Sequence, residues 1–208
     1  MLLKLEDMAA RKRIILPSFQ RLLAELRRQS HRVSVSIVLR SFGPDVSDAF
    51  NEIIETNPHL SVGTFGMFCK GQLHSLASMS EVSAAYSASR VGPNRLPLAD
   101  VLAPFPKADI FAAAAALQPD CIGVWSDDYS HWHGNGERAV AGKPFPVMAD
   151  TITVFFDDNA EEKEIIAPVV SPHFRADVAE RVVAVDPVLA LECDDYFVGI
   201  LKSKGILE

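Results

Sequence analysis

The chain has 208 residues, 49% of them apolar and 23% charged, a composition that excludes a mainly disordered polymer and lets about 70% of the unfolded chain's surface be buried on folding. Its formal charge of −7 argues against a protein built to cover phosphate backbones, a task that needs clustered Lys and Arg, so nucleic acid is not an expected partner. Cys69, Cys121 and Cys193 are far apart and form no C-x-x-C pair, which suggests neither a disulfide framework nor a zinc cluster and reads as three reduced thiols. No apolar run reaches the roughly eighteen residues of a membrane span, and the start "MLLKLEDMAARKR" is too charged for a signal peptide. The expectation is a cytoplasmic protein with no membrane partner.

In chain order, Leu16, Phe19, Leu22, Leu23 and Leu26 fall on one helical face and predict an amphipathic helix over 16–30, with Pro17 in its first turn. "RVSVSIVLRSFG" then reads as a buried strand from Val33 to Leu39 that ends at Ser41 to Gly43. A helix follows in "PDVSDAFNEIIET", with Asp45 or Ser47 as its cap. "LSVGTFGMFCKGQLHSLAS" places Gly71 between two apolar stretches, the pattern of a β-hairpin. The segment from Pro97 to Asp120 reads as two short helices separated by Pro104 and Pro106.

"CIGVW" is the next strand, opening into a loop, "SDDYSHWHGNGERAVAGKPFP". Ile152 to Phe156 reads as a strand and Ala160 to Ile166 as a helix; "RVVAVDP" is the last strand, and "VLALECDDYFVGILKSKGI" one closing helix that carries Asp194 and Asp195 on an exposed face. Helices alternating with buried strands predict an α/β fold with a mostly parallel sheet. The chain reads as one domain over 1–208, with a hairpin and helical insertion around 60–118.

Ligands of such sheets sit outside the carboxyl ends of the strands, which singles out four stations: Ser41, the pair Asp127 and Asp128, Lys143, and the pair Asp157 and Asp158. Adjacent carboxylates repel unless a cation or proton separates them, and Mg²⁺ takes one or two carboxylates with waters and a substrate phosphate. Helix capping by Asp158 or Asn159 is the plainer explanation of the second pair, and both can hold at once. Ser41 alone reads as a turn residue before Gly43, Pro44 and Asp45, and Lys143 alone as a solvated loop lysine. His131 and His133 beside Trp125 and Trp132 have no third ligand at zinc spacing, so that stretch reads as a loop that shapes a substrate pocket, with Asp127, Asp128 and Trp132 facing it.

Taken in order, "VSIVLRSFG", "GKPFP" and "ITVFFDDN" resemble motifs II, III and IV of the haloacid dehalogenase-like phosphohydrolases. The resemblance implies a Rossmann-like three-layer sandwich. It implies that Ser41 hydrogen-bonds a transferring phosphoryl group, that Lys143 offsets its charge and orients the nucleophile, and that Asp157 and Asp158 hold Mg²⁺. A small phosphorylated molecule is the implied substrate. The family's nucleophile, an aspartate in a D-x-D motif on a strand before the motif II helix, has no counterpart, because "MLLKLEDMAARKRII" offers only Asp7. In the family that strand is central, between those bearing motifs II and IV, and a gap there would leave backbone groups of both neighbours unpaired.

Three explanations stand: a shortened sequence, an N-terminal segment that fills the gap, or loss of catalysis with retention of binding. The expectation is a magnesium-dependent phosphatase-type domain that is inactive or incomplete as it stands. The alternative is a noncatalytic interaction or regulatory module. Exposed sheet edges at the gap would favour a homodimer.

Overall fold

The computed structural model describes residues 2–90, 93–160, 165–170 and 179–208. At the centre is a five-stranded sheet in the order β1-β5-β2-β3-β4, made from β1 (Ser36–Ser41), β2 (Ser61–Cys69), β3 (Gln72–Leu76), β4 (Lys107–Ala108) and β5 (Cys121–Ser126). β1, β5 and β2 are parallel, whereas β3 and β4 are antiparallel additions. Every residue of β5 is buried, because both edges pair and both faces are covered.

Side-chain alternation along β5 divides its burial between two layers. Ile122 and Val124 pack against Leu23 of α2 (Pro17–Arg28) and Val46, Phe50 and Ile53 of α3 (Val46–Thr56). Trp125 points the other way, with Phe68 and Leu73 of the hairpin, and meets Ile110, Ala113 and Ala114 of α6 (Ile110–Ala115). Helices on both faces of a sheet with a parallel centre make this an α/β fold. The hairpin turn has φ of 50° at Lys70 and 78° at Gly71, the doubly left-handed geometry of a two-residue turn.

The remaining helices are α1 (Leu2–Ala10), α4 (Met79–Arg90), α5 (Leu98–Leu102), α7 (Tyr129–Gly134), α8 (Pro187–Glu192) and α9 (Tyr196–Ser203). α4 and α5 cover Met67, Cys69 and Leu76, while α8 and α9 close over Leu22 of α2. Among the described residues no helix is long and apolar enough to cross a membrane.

Two parallel strand pairs stand apart from the central sheet: β6 (Lys143–Val147) with β8 (Ile166–Val170), and β7 (Phe155–Asp157) with β9 (Val182–Ala184). β6 was hidden by Pro144 and Pro146, which argue against a strand. The Lys143 amide donates to the Ile165 carbonyl at 2.6 Å. In a parallel ladder this turns residues 143, 145 and 147 toward β8 and sets the two prolines at positions where no amide is needed.

Several expectations are corrected. The central gap does not exist, because β5 pairs with both β1 and β2, and the edge-pairing argument for a homodimer loses its premise. The strand expected to carry motif IV is not in the central sheet. Segment 60–118 supplies β2, β3 and β4, three of that sheet's strands. The helix expected from Ala160 to Ile166 is not formed at its ends, since Ala160 lies in a turn and Ile166 starts β8; 161–164 lie outside the described residues. The strand before Asp157 begins at Phe155 rather than Ile152. The single closing helix is two, because the chain breaks at Cys193, Asp194 and Asp195, where the aspartates ion-pair with Lys4 and Arg21 instead of lying on a helix face.

Candidate functional site

Four ionisable side chains meet where β1 and β5 end. Arg40 is the penultimate residue of β1, and the pleat aims it at the same side as Trp125. Its Nε donates to Asp127 Oδ2 at 3.0 Å and its second terminal nitrogen to Asp127 Oδ1, a two-pronged guanidinium–carboxylate bond. The remaining nitrogen donates to the Pro144 carbonyl at 2.7 Å, the group that β6 leaves free of β8. Arg40 thereby ties together the ends of β1, β5 and the first turn of β6. Its guanidinium also lies 4.7 Å from the Phe68 ring centre, a contact favoured by the ring's negative face.

Beside this pair, Lys143 Nζ donates to Asp157 Oδ2 at 2.6 Å. The side chains of Arg40, Asp127, Lys143 and Asp157 are 7%, 1%, 10% and 3% exposed, so two cations and two anions neutralise one another almost without water. Burial pushes the Asp127 carboxyl up from its ordinary range; Arg40 and Lys143 oppose the rise and Asp157 adds to it. The Phe42 ring covers Lys143, its centre 5.1 Å from Nζ.

Of the sequence-predicted residues, the structure brings Lys143, Asp157 and Asp127 together and leaves the others apart. Ser41 ends β1 half-buried; its Oγ donates to Asp45 Oδ1 at 2.9 Å and accepts from the Gly43 amide at 2.9 Å, as a turn serine does. Asp45 therefore does not cap α3. Asp128 accepts from the His131 amide at 3.0 Å, capping α7, and from the Lys70 amide at 3.1 Å, pinning the hairpin. The stretch expected to be a substrate loop is largely helix α7, with Trp132 2% exposed and stacked on Phe42. Trp132, Asp127 and Asp128 are buried there. His131 and His133 bond Asn135 and Glu137 respectively and do not converge.

The carboxylates expected to hold magnesium are engaged with protein donors. Asp157 spends Oδ2 on the Lys143 ammonium and Oδ1 on the Asn159 amide, 2.8 Å away. Asp158 is exposed and accepts from the Asn159 side-chain amide. Asp157 closes β7, whereas Asp158 already lies in the turn that follows it. Among the described residues no group of three or more His, Cys, Asp or Glu side chains could hold a metal ion.

Arg40 is the residue that sequence reasoning passed over. Its signal was a charged side chain inside the apolar run "SIVLRS", a placement that calls for a buried partner.

On the other side of the same strand ends, a cleft opens to solvent. Val46 at the start of α3, Met79, Val82 and Tyr86 of α4, and Ser126 of β5 line it. The chain matches no family model, no curated protein and no solved structure.

Proposed function

We propose that this chain is a noncatalytic α/β domain, an interaction or regulatory module that binds at the carboxyl end of its central sheet. The observation that carries the reading is the buried Lys143–Asp157 contact at 2.6 Å. The two residues best placed in the sequence for phosphoryl chemistry satisfy each other, and neither offers a free charge to a phosphoryl group. Phosphoryl transfer depends on positioned, available charge. Ser41, held by Asp45, and Asp158, turned to solvent, add nothing to the centre.

A second reading, kinship with haloacid dehalogenase-like phosphatases that has lost turnover, is favoured by the same contact. Lys143 and Asp157, 14 residues apart, meet beside the end of the strand that carries Ser41, the neighbourhood in which the resemblance would put them. On this reading the ligand is a small phosphorylated molecule. Against it stand β6 and β7, which lie outside the central sheet.

The test is hydrolysis of p-nitrophenyl phosphate by the purified chain with Mg²⁺, beside the double substitution Asp157→Ala, Asp158→Ala. The expected result is no turnover from either protein. Turnover lost in the double variant would overturn the noncatalytic reading in favour of an active family member; turnover that survives it would remove both readings.

A further inference from the structure

We propose that an extended segment of another polypeptide, an apolar run of about five residues, adds as a strand between β1 and β7. The inference rests on the reading of the chain as an interaction module and gives that module the class of its partner.

The five-stranded sheet has no gap within it, but its β1 edge is unpaired among the described residues. The Asp127 amide donates to the Ser41 carbonyl at 2.8 Å, and in a parallel ladder alternate residues turn both backbone groups to the same neighbour. Ile37, Leu39 and Ser41 therefore face β5, while Ser36, Val38 and Arg40 turn their backbone groups to the outer edge. β7 repeats the situation. The Val185 amide donates to the Asp157 carbonyl at 3.0 Å, so Phe155 and Asp157 face β9 and Phe156 turns its amide and carbonyl away from it. Among the described residues neither set of outward groups has a backbone partner. A strand edge left this way is a template for another strand.

The two open edges face each other. Along β1, Ile37 and Leu39 pack in the layer of Leu23 from α2, and Val38 lies on the opposite side with Phe68 and Trp125. β7 alternates between the same two sides: Phe156 packs in the layer of Leu22 from α2, whereas the Phe155 ring centre is 5.8 Å from the Arg40 guanidinium. Phe19 of α2 packs against both layers, and Asp157 ends β7 beside the Arg40–Asp127 pair that ends β1 and β5. β7 thus lies in the plane of the sheet beyond β1, yet the two backbones do not approach as paired strands do. An inserted strand bonds both edges and joins the pair β7–β9 to the sheet. Just before β7, the Thr153 hydroxyl oxygen is buried without a hydrogen-bond partner, a further polar group that such a strand would reach. β7, with Phe156 against Phe197 of α9 at 5.2 Å between ring centres, blocks the β1 edge of a second whole copy, which leaves a lone segment as the occupant. Layers on both faces make its side chains apolar at successive positions.

The test uses the full chain, ¹⁵N-labelled, with amide hydrogen exchange as the readout. In the free protein the Val38, Arg40 and Phe156 amides should exchange at least tenfold faster than those of Ile37 and Leu39, which donate to β5. The probe is the synthetic peptide Ac-Lys-Lys-Val-Ile-Val-Ile-Val-Lys-Lys-amide at millimolar concentration, which should slow Val38, Arg40 and Phe156 together at least tenfold. The same peptide N-methylated at its five central residues should protect neither strand. Val38→Pro removes one outward donor and spares the ladder to β5, so it should weaken the peptide at least tenfold with Ile37 and Leu39 still protected. Slow exchange of Val38 and Phe156 in the free chain, no saturable effect of the peptide, an effect on one strand alone, or equal protection by the N-methylated peptide overturns the proposal. Protection that grows with protein concentration alone would put a second copy at the edge and overturn it as well. Hydrolysis of p-nitrophenyl phosphate by the same samples would sink the noncatalytic reading while the strand protections stand, so the two failures are distinguishable.

Discussion

The ammonium of Lys143 lies 2.6 Å from Oδ2 of Asp157, and neither side chain is more than 10% exposed. Two charges taken out of water this completely are tolerated only as a pair. Replacing Lys143 with Met leaves the Asp157 carboxylate buried and alone, and the expected loss is about 3–5 kcal/mol of unfolding free energy. The double substitution Lys143→Met, Asp157→Leu should lose less than the sum of the two single losses, because it strands no charge. Urea titrations of the four proteins complete the cycle. A loss near zero for Lys143→Met would mean that water reaches the pair.

Immediately before Lys143, Gly142 has no room for a side chain: a Cβ there would lie 2.0 Å from the Ile165 carbonyl oxygen. Backbone rather than a flexible side chain would have to move, and the moving part is the ladder that joins β6 to β8. Gly142→Ala should destabilise the protein by about 1–3 kcal/mol, the usual cost of forcing extra volume into a packed site. Gly134, at the end of α7, meets nothing within 4 Å, so Gly134→Ala should be neutral or stabilising by up to about 1 kcal/mol. Thermal unfolding of the two variants gives the comparison directly, and equal midpoints would refute the crowding argument.

These local features differ in how far the sequence announces them. α2 was readable because Leu22 and Leu23 recur with Phe19 and Leu26 at helical spacing, and the hairpin because Gly71 supplies the turn. β5 was readable as an apolar run, though its central place was not, since strand order depends on partners far along the chain. β6 was missed because proline is normally evidence against a strand, and only the direction of the Lys143 amide shows why two are accepted. The candidate site was half legible. Lys143 and Asp157 were found by position after apolar stretches, but the bond between Arg40 and Asp127 spans 87 residues, and nothing in the spacing of a sequence encodes a contact of that range. Asp157 and Asp158 were read as a pair, but Asp157 is buried against Lys143 while Asp158 lies exposed in the turn after β7.

A pH effect comes from α2. Glu25 accepts from Arg28 at 2.9 and 2.5 Å and from Gln29 at 2.6 Å, and these bonds, the Arg28 one foremost, lower its carboxyl from 4.5 to about 2. A carboxyl whose folded value lies below its unfolded one contributes stability above the unfolded value and loses it as the pH falls toward the folded one. Stability should therefore fall between about pH 4.5 and about pH 2 through this group, and Glu25→Gln should flatten that part of the profile while lowering stability at neutral pH. Denaturant midpoints across the acid range test it; parallel profiles for the two proteins would show that Glu25 contributes no such dependence.

The last prediction concerns what makes Arg40 irreplaceable. Its three nitrogens serve two acceptors on different elements, both oxygens of Asp127 after β5 and the Pro144 carbonyl in β6. Lysine keeps the charge but has one nitrogen on a flexible stem, so it cannot reproduce the two-pronged bond and the carbonyl bond together. Arg40→Lys should cost about 1.5–3 kcal/mol, the scale of a lost hydrogen bond to a charged group. The loss should be local as well as global: amide exchange of Phe145 and Val147 in β6 should accelerate more than that of Ile122 in β5, because the lost bond is the one that fastens β6 to the sheet end. Arg40→Met strands the Asp127 carboxylate and should cost more than Arg40→Lys. If lysine matched arginine in both stability and β6 protection, the fastening role of the guanidinium would be wrong, and the packing of Trp132, Phe145 and Phe155 would have to hold β6 without it.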